Sequence, residues 1–115
     1  MVKRPAIRRG DFMSNRNVGF AVIYRWKVDP EQEGLFMSAW EALTHAIRDG
    51  RGGMGSRLHR NDEGHFVAYA QWPDRETWEK SQAKESTDPE ASEAMQGPIL
   101  ETFPPGLLEP VRARL

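Results

Sequence analysis

From Val18 to Val28 the chain reads VGFAVIYRWKV, and simple alternation divides it in two. Phe20, Val22, Tyr24 and Trp26 fall on one side of an extended chain; Gly19, Ala21, Ile23 and Arg25 fall on the other. Both sides are largely apolar, so the pattern predicts a β-strand covered on two faces. Asp29-Pro30 then changes the period. Asp29 stands at an N-cap, Pro30 at the first helical position and Gln32 at the capping-box position. Phe36, Ala39, Trp40, Leu43 and Ile47 recur at helical spacing as one apolar stripe, with Glu33, Glu41, Thr44 and Arg48 turned away. This helix of about five turns is expected to end at Gly50 as its C′ residue.

The period of two returns over Met54–Asn61 and His65–Trp72, around the polar turn Asp62-Glu63-Gly64, and predicts a hairpin. Phe66, Ala68, Ala70 and Trp72 share one of its sides; His65, Val67, Tyr69 and Gln71 share the other. Pro73-Asp74 opens a second helix through Arg75–Lys84. A break at Ser86-Thr87-Asp88-Pro89 restarts a short helix that turns Ala91, Ala94, Met95 and Ile99 inward. Thr102–Gly106 reads as a loop, and Leu107–Leu115 as a last strand interrupted by Pro110, a residue suited to an edge.

The resulting order is β-α-β-β-α-β. It predicts an α+β fold of the ferredoxin-like kind, an antiparallel four-stranded sheet with its helices on one face. Ile23, Val67 and Tyr69 are then left on the other face. The cheapest cover for them is the same face of a second copy, which predicts a homodimer.

Composition narrows the chemistry. In 115 residues, 38% are hydrophobic and 29% charged, with a formal net charge of -1, so the chain is a globular one with no argument for nucleic acid or a membrane surface as partner. No cysteine is present, which excludes disulfides, thiolate nucleophiles and cysteine-ligated metals. No apolar run reaches the length of a signal or membrane segment, and a cytoplasmic location is expected. Residues 1–16 carry Lys3, Arg4, Arg8, Arg9 and Arg16 without periodicity. They read as a flexible basic arm, either a frayed leader or a segment that binds an anion. Residues 17–115 are expected to form one domain. The glycine-rich Arg51–Gly55 follows a helix and precedes a strand, the reverse of the order in a phosphate-binding loop. No histidine or carboxylate spacing fits a metal site, so no metal is expected. Ala68 and Ala70 beside Trp72 leave either a hollow under the helices or a space filled by aromatics of the first helix.

The segment GSRLHR, a polar turn, then FVAYAQW running directly into PDRETW resembles the antibiotic biosynthesis monooxygenase domain of the dimeric α+β barrel superfamily. The resemblance spans roughly Val18 to Leu115, and the order of elements agrees with it. It implies a homodimer with sheets packed face to face and a pocket between each sheet and its own helices. It also implies oxygenation of an aromatic or quinol-type small molecule without a cofactor, or haem breakdown as in other relatives. Carried over residue by residue, the tryptophan closing the third strand is Trp72. Ala68 stands where the anthrone oxygenases have an asparagine, Trp78 where they have a tyrosine, and Met95 near the place of an arginine. Gln82 stands at the position of the histidine that haem-degrading members need, which speaks against haem.

Cofactor-free oxygenation needs a proton acceptor and a group that holds the resulting anion. His59 has the intrinsic pKa range of a base, although parity puts it on the side opposite Trp72. Arg25 and Arg57, which could hold an anion, share that side, whereas Tyr24 shares the side of Trp72; His45 reads as solvated. The expected catalytic set is therefore His59, Tyr24 and Trp72, with a pocket walled by Trp72, Trp78, Ala68, Tyr24, Trp40 and Met95. The alternative is a non-catalytic small-molecule-binding or interaction protein on the same fold, the reading that Ala68 and Met95 favour.

Overall fold

A computed structural model describes residues 18–112; the basic arm at 1–16 and the end of the expected last strand at 113–115 lie outside the described residues. Strand β1 (Phe20–Val28) is followed by one 3-10 turn (Pro30–Gln32) and helix α1 (Glu33–Arg51). The hairpin β2 (Ser56–Arg60) and β3 (Phe66–Trp72) leads into α2 (Arg75–Gln82) and α3 (Pro89–Gln96). Two short strands, β4 (Ile99–Thr102) and β5 (Gly106–Leu108), close the described chain. The sheet order is β2-β3-β1-β4, with β5 also paired to β1, and every pairing is antiparallel. This is the α+β, ferredoxin-like arrangement expected from the periodicities, with its last strand delivered in two pieces.

Those two pieces correct the sequence reading. Ile99, expected on the inner side of a helix, opens β4 against Val28. The expected strand Leu107–Leu115 is represented among described residues by Gly106–Leu108 alone. Between the pieces, Phe103 donates its N–H to the Arg25 carbonyl at 3.0 Å, and Pro104-Pro105 then removes two donors from the edge. Helix α1 also runs past Gly50: its left-handed cap is Gly52, with φ of +81°, a conformation glycine adopts without steric cost. The extension lets Arg51 donate to the Ser81 carbonyl at 2.9 Å and tie the end of α1 to the end of α2.

Asp29 caps the helix entry by accepting from the Glu31 N–H at 3.0 Å, and the Gln32 side chain donates to the same carboxylate at 3.2 Å. Asp74 and Asp88 cap α2 and α3 in the same way, accepting from Thr77 at 2.7 Å and Ala91 at 3.0 Å. All three helices cover the sheet face that carries Phe20, Val22, Tyr24 and Trp26. The core on that face has two parts. One gathers Trp26, Val28, Phe36, Ala39, Phe66, Ala68 and Met95; the other gathers Phe20, Val22 and Trp72. Tyr24 packs against both.

Phe36 is fully buried at the centre of the first part, with ring centroids 5.4 Å from Trp26 and 5.0 Å from Phe66. Truncation there removes transfer energy and leaves a cavity, so Phe36→Ala should cost about 3–5 kcal/mol in urea unfolding. A loss under about 1 kcal/mol would mean that the helix is not anchored through this ring.

Candidate functional site

Cross-strand register creates a hollow on the helix-covered face. Ala68 of β3 lies between Tyr24 of β1 and Leu58 of β2; Ala70 lies between Val22 and Ser56. Two methyl side chains in the middle row cannot reach α1, and a half-enclosed cavity of about 340 Å³ remains above them. That is at the small end of the roughly 300–1,000 Å³ range of ligand pockets and suits a small ligand. Of the two readings left open by the sequence, a hollow rather than a filled core is what the side chains produce.

The inner walls are aromatic and aliphatic: Tyr24, Trp26, Trp40, Leu43, Ile47, Trp72 and Met95. Gly53 narrows the approach between α1 and β3, since a Cβ there would lie 3.1 Å from Ile47 and 3.6 Å from the Trp72 ring. Polar groups enter at Thr44, Ser56, Gln82, Gln96, Thr102 and Arg48. Among the described residues the lining contains no histidine and no carboxylate.

Besides the Arg60 guanidinium of β2, which donates to the Glu33 carboxylate of α1, a hydrogen bond joins α2 to the sheet beside the cavity. The indole Nε1 of Trp78 donates to the Tyr24 hydroxyl at 2.9 Å. The route to it is local: Trp72 ends β3, Pro73-Asp74 turns the chain, and the Asp74 cap sets α2 so that Trp78 lies one turn in. Trp78 also packs on Phe20, at 5.6 Å between ring centroids. Because the Tyr24 oxygen accepts from Trp78, its own O–H is left to donate elsewhere. Burial pushes the Tyr24 phenol above its ordinary pKa; the Trp78 hydrogen bond opposes this less strongly. At neutral pH Tyr24 is therefore a donor and not a base. Two more cavity residues carry uncommitted polar atoms: Trp72 Nε1 and Ser56 Oγ are buried without a partner among the described residues. Such groups cost about 1–3 kcal/mol each when left unpaired and tend to mark functional positions.

The structure brings Tyr24, Trp72, Ala68, Trp40 and Met95 together around the cavity. Trp78 does not line it; it braces Tyr24 from behind. His59 stands apart. It pairs with Val67 across the hairpin, is exposed, and lies on the opposite face of the sheet, as parity requires. Arg25 lies on that far side as well, over the Phe103 ring at 3.9 Å and 3.5 Å from Glu63. Sequence reasoning misses Thr44 and Arg48, whose residue types point them to the outer face of α1 but which line the cavity. They stand at i+4 and i+8 from Trp40, so they continue the stripe that Trp40, Leu43 and Ile47 begin. Gln82, which the resemblance sets against the histidine of haem-degrading members, lines the cavity. Among the described residues, no group of three or more histidine, aspartate or glutamate side chains converges as metal ligands.

Comparison with known proteins bears on the family and the fold. The family model described as Antibiotic biosynthesis monooxygenase matches residues 19–94. No curated protein sequence matches the chain. Among solved structures, SnoaB of Streptomyces nogalater, a cofactor-independent oxygenase, is similar at 17% identity and a TM-score of 0.67, over 84% of this chain and 96% of that one. A Caulobacter crescentus CB15 protein named for the same family aligns at 18% identity and a TM-score of 0.68, over 88% and 99%. Rv0793 of Mycobacterium tuberculosis aligns at 15% and 0.65, over 82% and 96%. At these identities the structures establish a shared fold.

Tyr24 should titrate above the usual phenol value of about 10, and Trp78→Phe should raise it further by removing a bond that favours the phenolate. Ultraviolet titration with Tyr24→Phe as the subtracted reference measures both. Its folded-state pKa exceeds the unfolded one, so its contribution to stability is whole below pH about 10 and is lost as pH rises through the folded value. A Tyr24 titration unchanged by Trp78→Phe would show that the indole is not its partner.

Proposed function

This chain belongs to the antibiotic biosynthesis monooxygenase family, and we propose that it is an oxygenase of an aromatic or quinol-type small molecule that works without a bound cofactor. The observation that carries the proposal is Tyr24 in the wall of an apolar cavity, its hydroxyl accepting from Trp78 and kept protonated by burial. In the proposed reaction an activated ring CH₂ of the substrate loses its proton to water in solution, and the molecule enters the cavity as an anion whose charge is delocalised onto a ring oxygen. Dioxygen is reduced as it bonds to that carbon, and the peroxide takes up a proton. Loss of the second C–H proton with O–O cleavage expels water and leaves a carbonyl. One oxygen atom enters the product and the other leaves as water.

The residues contribute positioning and charge stabilisation. Trp26, Trp40 and Trp72 enclose the ring system and keep water from the anion. Tyr24 donates to the oxygen on which negative charge develops, a role that needs a phenol kept protonated. The lining supplies no imidazole or carboxylate among the described residues. His59 on the far face therefore takes no part in this reading. The same feature favours the second reading, a binding protein that holds the ligand without turning it over.

A homodimer forms part of the proposal. Ile23, Val67 and Tyr69 remain half-buried on the sheet face away from the helices, where a second copy would cover them. Val67→Asp should yield a monomer in sedimentation experiments, and a wild-type protein that already sediments as a monomer would refute the dimer.

Oxygen uptake with dihydroanthracenones and hydroquinols, chelator present, tests the reaction. Uptake above the spontaneous rate is expected. Tyr24→Phe should lower it about 10²–10³-fold, the usual loss for one anion-stabilising donor, while His59→Ala leaves it unchanged. Binding of these compounds with no uptake would leave the binding-protein reading in place of the oxygenase.

A further inference from the structure

Arg48 is the only charged residue among those that line the cavity within the described residues. It lies in the last turn of α1, and it is exposed as well as lining the cavity. Its charged neighbours on the helix are already engaged. Asp49 pairs with His45 at 3.1 Å, and Arg51 donates to Ser81. Arg48 itself makes no ion pair or side-chain hydrogen bond among the described residues. Gln82 and Gln96, which also line the cavity, are neutral amides where a carboxylate would have competed for the cation. Among the described residues the cavity thus combines aromatic walls, one uncommitted cation, no anion and no base.

We infer that the cavity takes its aromatic ligand as an oxyanion, an acidic ring hydroxyl already ionised in solution, with Arg48 as the counter-cation that selects it. The inference rests on the cavity being the ligand site and deepens that reading by naming the ionisation state. A cavity lined by no base does not remove the hydroxyl proton itself, so the ligand's own acidity supplies the anion. A guanidinium offers forked donors to such an oxygen and stays charged at every working pH. Arg48 is on these grounds a specificity-determining residue.

The test uses 2-hydroxy-1,4-naphthoquinone, which is ionised at neutral pH, and its uncharged 2-methoxy analogue. All four tryptophans line the cavity or brace it, so quenching of intrinsic fluorescence reports binding. Wild-type protein in low salt should bind the anion about tenfold more tightly than the neutral compound, as one charge-assisted hydrogen bond allows. The preference should shrink as salt is added. Arg48→Gln should remove the preference and leave affinity for the methoxy compound unchanged, whereas Arg48→Lys should keep part of it. Thermal melts confirm that the variants are folded. Equal binding of both compounds by wild type, or an unchanged preference in Arg48→Gln, would overturn the inference while leaving the cavity as the ligand site. Failure of both compounds to bind would overturn the inference and the ligand site together.

Discussion

Tyr24 is where the two halves of the core meet, and its hydrogen bond from Trp78 is the contact on which the site depends. A phenol taken out of water needs a partner for its oxygen, because an unpaired buried hydroxyl is costly. Trp78 supplies that partner from α2 and leaves the proton free. The bond thus ties α2 to the sheet and leaves the hydroxyl proton free to donate, while burial keeps the phenol protonated at neutral pH.

The hollow beside Tyr24 arises from an uneven distribution of volume. Strand β1 presents Phe20, Val22, Tyr24 and Trp26 to the helices, while the neighbouring β3 presents Phe66 and Trp72 at its ends and alanines between them. The large rings at the ends carry α1 and α2 at a height that the alanines cannot fill. Close packing is kept at both ends, where Phe20 and Phe36 are fully buried, and relaxed in the middle. A small domain can sustain such a hollow because the two core parts stabilise it on either side.

Much of this was legible in the chain. Alternation placed Tyr24, Ala68 and Trp72 on one face, and Pro73-Asp74 announced the helix that carries Trp78. Three features were not. Ile99 reads as the end of a helical stripe because a four-residue strand has no period of its own; its partner Val28 lies far away in sequence. Gly50 looks like a helix stop, but the left-handed position falls at Gly52, where Arg51 gains its bond to Ser81. Thr44 and Arg48 look solvated because residue type alone assigns them outward. Only the missing volume above Ala68 and Ala70 makes their edge of α1 a cavity wall.

A crystal structure of the protein with a non-oxidisable dihydroanthracenone analogue would test the central claim most directly. The expected result is a ring system between α1 and the sheet with a ligand oxygen about 2.5–3.0 Å from the Tyr24 hydroxyl, and Trp78 still donating to the same hydroxyl. A ligand seated on the opposite face near His59, or a Tyr24 hydroxyl turned away from the ligand, would contradict it.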